Sequence, residues 1–238
     1  MSSTPLKKPN PESARAKSGR PRLGKETGRD TILSNALQNF ARRGFDGVNI
    51  RDLAKQAGVN IALANYHFGS KQSLWEACLQ QLQMTATDCV SKMQSLATGA
   101  LPYPEKLVGV YATFIRFSAD TPDYGLFILQ EMLQPGERQE LVRDTLIQPF
   151  QNVTMPLLME GKALGLIRSE DIPLTFFMHS IAISHLLAGQ GLVASFFTPE
   201  IRREETLQEL LKMMIRSAVG VLPDEFEKAI QATAKSAR

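Results

Sequence analysis

Residues 49–71 read NIRDLAKQAGVNIALANYHFGSK, and this stretch decides the fold. Asn49 is a good N-cap, and Asp52 sits at N3, where an acid suits the positive end of a helix. Ile50, Leu53, Ala54 and Ala57 form one apolar side, and Gly58 ends the helix after about two turns. Asn60 caps a second short helix that runs to about Phe68. Gly69-Ser70 breaks the chain and recaps it, opening a long helix with Leu74, Trp75, Cys78, Leu79 and Leu82. Two short helices around Gly58-Val59-Asn60 make a helix-turn-helix, with Val59 placed to plug the small core between them. An ordinary αα-corner has the same pattern, so the turn alone leaves the two readings evenly matched.

Outward from this stretch, helical spacing continues in both directions. Ile32, Leu33, Ala36, Leu37, Phe40 and Ala41 form a stripe closed by Arg42, Arg43 and Gly44. Residues 1–27 are rich in Ser, Pro, Lys, Arg and Gly and predict a disordered basic arm. Downstream, no stretch shows sustained strand alternation, and Pro104, Pro122 and Pro173 fall where helices can start. Pro149 and Pro156 lie inside a helical stretch and predict kinks or a break. The fold class is therefore all-α. The chain divides into the arm, a helix-turn-helix head over 28–75, a helical body over 76–222 and a C-terminal helix or tail over 223–238.

Charge separates the two ends. Residues 1–71 hold 13 Lys/Arg against 5 Asp/Glu, and residues 72–238 hold 14 against 19. A basic head on an acidic body suits a polyanion partner, although a solubilising basic tail has the same composition. The first residues lack the apolar core of a secretory signal. Ile172 to Pro199 has no charged residue, but its Ser, His, Gln and Gly favour a buried or interfacial helix over a membrane span. Two Cys and three His give neither a disulfide scaffold nor a metal cluster, so no metal and no cofactor are expected. Cys78 and Cys89 lie about three turns apart on one helix and read as buried structural thiols, with a redox sensor the lesser reading.

Three features favour DNA over the bare corner. Arg20-Pro21-Arg22 can lie in a narrow minor groove. Tyr66, His67 and Lys71 can all donate hydrogen bonds to phosphates. The helix N-terminus at Ser70 offers free backbone N–H groups.

The ALQNFARRGFDG, RDLAKQAGV and YHFGSK segments, in that order and spacing, resemble the DNA-binding domain of the TetR family of bacterial transcriptional repressors over about residues 28–79. The resemblance implies a cytoplasmic homodimer that binds double-stranded DNA at a near-palindromic operator and is released by a small-molecule effector. It places Asn49 at a phosphate and Arg51 within reach of a base. Asn60, Ile61, Ala62 and Leu63 start the helix that lies in the groove, and Tyr66, His67 and Lys71 contact phosphates. Ile61-Ala62 stands where the family often has Lys-Gly, and Asn65 where it often has an aromatic residue. Ile61 and Ala62 can meet thymine methyls and Asn65 can pair with adenine, which predicts an A·T-containing half-site.

In the body, Phe114, Phe117, Tyr124, Phe127, Met132, Met155, Met159 and His179 are candidate effector-pocket walls, each also a plausible core residue. Helices over about 172–196 and 199–221 are candidates for a four-helix dimer interface, through Phe177, Ile181, Leu187, Leu207, Leu211 and Met214. An enzyme on an all-α scaffold finds no GxSxG, CxxC, HExxH or phosphate-loop motif here. A DNA-binding regulator without any effector stays open as the alternative.

Overall fold

A computed structural model describes residues 28–189 and 204–236, and every described element is helical. The arm with Arg20 and Arg22, and the segment 190–203, lie outside the described residues. The head is α1 (Gly28–Arg43), α2 (Ile50–Gln56) and α3 (Ile61–Phe68). The body is α4 (Lys71–Thr98), α5 (Tyr103–Asp120), α6 (Pro122–Met132), α7 (Glu137–Val142), a π turn (Arg143–Ile147), α8 (Gln148–Ala163), α9 (Ile172–Ala188), α10 (Glu204–Val219) and α11 (Asp224–Ser236).

The prolines act locally, and each finds a different solution. Pro104, Pro122 and Pro173 sit in the first turns of α5, α6 and α9, where their missing N–H costs nothing. Ahead of Pro149 the backbone widens into the π turn, with Gln148 N–H reaching back five residues to the Arg143 carbonyl. Pro156 stays within α8 on an exposed face, where water can reach the carbonyl it leaves unbonded. The predicted break therefore falls before Pro149 and not at Pro156.

The expected division between residues 75 and 76 falls inside α4, whose 28 residues run from head to body without interruption. The head core (Ile32, Ala36, Phe40, Leu53, Ala54, Ala64) continues through Leu74, Trp75 and Cys78 into the body. The Trp75 ring stacks on Phe127 of α6, with centroids 5.6 Å apart. α1 lies along α6. At its end Gly44 takes φ +69°, and an added Cβ there would meet the Gln130 side chain of α6 at 2.9 Å. Head and body thus share one continuous core.

Among the described residues, no helix is long and apolar enough to cross a membrane. The uncharged stretch expected to be buried starts as α9, which ends at Ala188 with Gly189 as its C-cap. Cys78 is buried and its thiol lies 3.9 Å from the Leu33 carbonyl; burial pushes its pKa up. Cys89 is half-buried, and burial pushes it up to about 12 despite nearby Lys92. Neither is poised as a thiolate nucleophile.

Candidate nucleic-acid interface

Local capping builds the head. Asn49 Oδ1 accepts from Arg51 N–H at 2.8 Å, and Asn60 Oδ1 accepts from Ala62 N–H at 2.9 Å. Each bond satisfies a donor that the start of a helix leaves free. Between them Gly58 adopts φ +66°, a left-handed conformation that glycine takes without a Cβ penalty. Val59 N–H returns to the Ala54 carbonyl at 2.9 Å and locks the turn. Its side chain packs, half-buried, against the core.

α3 is amphipathic over two turns. Ala64 and Phe68, four residues apart, are buried. Ala62, Leu63, Asn65, Tyr66 and His67 are exposed, with Tyr66 83% exposed, and Ile61 is half-buried. Arg51 on α2 is exposed, as are Asn49 and Asn60. The Tyr66 and His67 rings meet edge to face at 5.3 Å, which limits their freedom without burying them. Ser70 caps α4 by accepting from Ser73 N–H at 3.0 Å, leaving the first N–H groups of α4 open beside His67 and Lys71. One residue differs from a simple phosphate donor: Lys71 is half-buried, with its ammonium 4.5 Å from the centroid of the Phe45 ring.

That ring leads to a feature the sequence does not announce. The Arg138 guanidinium of α7 also lies over Phe45, 4.1 Å from the centroid. Arg138 Nε donates to Glu131 Oε2 at 3.1 Å, and Trp75 Nε1 donates to Glu131 Oε1 at 3.0 Å. Glu131 is only 2% exposed. A buried carboxylate thus ties α6 to α4, and through Arg138 to the loop that precedes α2. The single tryptophan of the chain, Trp75, is the only hint of it in the sequence.

The expected effector residues separate. Phe114, Tyr124 and Met132 line a cavity of about 50 Å³ between α5, α6, α8 and α9, and Phe114 and His179 line an adjoining one of about 20 Å³. Phe117 packs edge to face on Tyr124 at 5.0 Å as part of the solid core, and Phe127 belongs to the Trp75 stack. Met155 is half-buried beside Gln151, and Met159 points to solvent. A larger cleft of about 1020 Å³ opens between α4, α5, α10 and α11, over Leu96, Ile115, Leu207, Leu211 and Ala229. The sequence marks none of these residues as a pocket wall, because helical periodicity gives a buried face without its partner.

The expected interface residues separate too, by exposure within the single chain. Leu187, Leu207 and Leu211 are buried in the single chain, Leu207 and Leu211 at the floor of that cleft. Phe177 and Ile181 are 41% and 40% exposed, in line with exposed Leu174 and Met178 on α9. Met214 is half-buried beside exposed Met213.

His179 is a structural tie rather than a free wall group. Ser217 donates to the Met214 carbonyl at 2.8 Å, so His179 Nε2 donates to Ser217 Oγ at 2.7 Å and Nδ1 accepts from Tyr111 at 2.6 Å. This chain joins α5, α9 and α10, and burial pulls the His179 pKa down to about 4. Because the folded state holds His179 neutral while the unfolded state protonates near 6.5, stability is lost as pH falls through 6.5 toward 4. The expected slope is up to about 1.4 kcal/mol per pH unit in that window. Urea midpoints at pH 7 and pH 5 check it. His179→Gln, which cannot protonate, is expected to show a smaller acid shift than the natural chain.

Comparison with known proteins agrees with the head. Residues 32–78 match the family described as bacterial regulatory proteins, tetR family. The chain is 27% identical over 150 residues to the HTH-type transcriptional repressor NicS of Pseudomonas putida, a match covering 62% of this chain and 68% of NicS. It is 27% identical over 141 residues to the HTH-type transcriptional dual regulator CecR of Shigella flexneri, covering 53% of this chain and 61% of CecR. The crystal structure of the TetR family regulator PfmR from Thermus thermophilus has the same fold, with a TM-score of 0.58 at 20% identity over 81% of this chain and 97% of that one. With its capped helix-turn-helix matching the tetR family model over residues 32–78 and its similarity to NicS and CecR, the chain is a DNA-binding transcriptional regulator whose head resembles those of the TetR family.

Proposed function

We propose that this regulator is a homodimeric repressor that covers a near-palindromic operator and leaves it when a small molecule binds the body. The observation that carries the DNA contacts is the outward row on α3. Ala62, Leu63, Asn65 and Tyr66 are exposed side by side, and the Asn65 carboxamide makes no hydrogen bond among the described residues. In this reading α3 lies in the major groove, with Asn60, Ile61, Ala62 and Leu63 near base edges and Asn65 on an adenine. Arg51 reaches a base from α2. Asn49 keeps its amide N–H₂ for a phosphate, since only its oxygen serves the cap. Tyr66, His67, Lys71 and the open N–H groups of α4 hold the backbone, and Arg20 and Arg22 follow the minor groove.

Two heads are needed, with their recognition helices about 34–36 Å apart for successive major grooves on one face of the duplex. The exposed apolar row Leu174, Phe177, Met178 and Ile181 on α9, with Met213 and Met214 on α10, supports a dimer through these helices. Phe177, Ile181 and Met214 of the sequence expectation remain in that interface.

Gel shift with the DNA upstream of the protein's own gene tests the reading. At physiological salt the protein is expected to retard that DNA well before a random duplex of equal length. Equal affinity for both rejects sequence-specific repression. The log of the binding constant is expected to fall linearly with log salt, since each neutralised phosphate releases counterions.

A further inference from the structure

Lys71 is the first residue of α4, where the positive end of a helix disfavours a cation. Its ammonium makes no ion pair among the described residues. What holds it there is Phe45, whose ring centroid lies 4.5 Å away. The negative face of an aromatic ring attracts a cation. The ring occupies one side of the ammonium, and the N–H donors that point away from it stay available to a phosphate oxygen.

The ring itself is fixed. Phe45 lies in the loop between α1 and α2, where Val48 N–H returns to its carbonyl at 3.3 Å. Its ring stacks on buried Phe40, with centroids 6.0 Å apart and planes within 10° of parallel. Arg138 of the body lies over it as well, 4.1 Å from the centroid, and is tied in turn to buried Glu131. A free lysine has many rotamers, and immobilising such a side chain on binding costs about 2-fold to 12-fold in affinity. A lysine already seated on a fixed ring has lost that freedom before the duplex arrives.

We propose that Phe45 is the positioning residue for Lys71 in DNA binding: it presets the ammonium for a phosphate and does not touch the duplex itself. The proposal rests on the reading of Lys71 as a phosphate contact. Through Arg138 the same ring joins that contact to the body.

The test is a double-mutant cycle in full-length protein, read by fluorescence anisotropy on the upstream DNA and on a random duplex. Lys71→Gln is expected to weaken both and to lower the salt slope by about 2 for a dimer, one phosphate per head. Phe45→Leu is expected to weaken both by about 5-fold to 150-fold, because each of two heads loses its preset lysine. In the Lys71→Gln background, Phe45→Leu is expected to change affinity by less than about 2-fold. Loosened packing of the head would instead weaken binding equally in both backgrounds. Phe45→Tyr keeps the ring face and is expected to bind both DNAs more tightly than Phe45→Leu. Equal losses in the two backgrounds, no loss from Phe45→Leu alone, or a loss from Phe45→Tyr as large as that from Phe45→Leu overturns the proposal. A Lys71→Gln protein with the affinity and salt slope of the natural chain rejects the phosphate role of Lys71 on which the proposal rests.

Discussion

Alanine at Asn65 is expected to weaken binding to the upstream DNA by about 30-fold to 20,000-fold while leaving binding to random duplex nearly unchanged. A bidentate amide–adenine pair is worth about 1–3 kcal/mol of discrimination. A dimer loses it twice, about 2–6 kcal/mol, which converts to that range of affinity. The fold is not the cause of the loss, because Asn65 is exposed and no described side chain bonds its carboxamide. Alanine is also the better helix former at such a position, so the melting temperature is expected to stay level or rise slightly. Tyr66→Phe gives the contrast. It removes a neutral phosphate donor, so it weakens both DNAs alike and leaves the salt slope unchanged, because a phenol hydroxyl displaces no counterion. Anisotropy titrations on the two duplexes at several salt concentrations separate these patterns. An equal loss on both duplexes for Asn65→Ala would place Asn65 on the backbone and remove it from base readout.

The second large effect concerns the tie between head and body. Glu131→Ala leaves Trp75 Nε1 without its buried acceptor and Arg138 without its carboxylate. Removing one member of a buried charged pair costs about 3–5 kcal/mol. For a chain of this size that lowers the melting temperature by roughly 6–20 °C. Glu131→Gln keeps an acceptor for the indole and is expected to lose less. Trp75→Phe removes one hydrogen bond to a charged group, about 1.5–3 kcal/mol, beyond what repacking of the ring against Phe127 costs. Calorimetric melts of the three variants check the order. A Glu131→Ala protein that melts within about 2 °C of the natural chain would mean that water or another side chain replaces the carboxylate, and that the bridge holds little.

What the sequence can show follows the range of each interaction. The caps are legible because they act within three residues. Asn49, Asn60 and Ser70 each read as N-caps, and each accepts from the backbone of its own helix. The outward face of α3 follows from the same spacing that buries Ala64 and Phe68. Long-range partners are not legible. A helix that is apolar all round, as α9 nearly is, has no stripe to tell its own core from an exposed face. So Leu187 reads as interface together with Ile181, although only Ile181 is open. His179 reads as a pocket wall because nothing nearby in sequence reveals Tyr111 and Ser217, 68 and 38 residues away. Glu131 reads as one more acid on an acidic body, since burial comes only with the folded neighbours.

The uninterrupted run of α4 sets a mechanical scale. Its 28 residues span about 42 Å, with Trp75 near the DNA end. A rod of that length, pivoted at its far end, converts a tilt of about 5° into a sweep of about 3.5 Å at its tip. In a twofold pair the two sweeps add, to about 7 Å, which is around a fifth of one duplex repeat. Small rearrangements deep in the body are thus amplified by leverage into a mismatch that a rigid duplex does not follow.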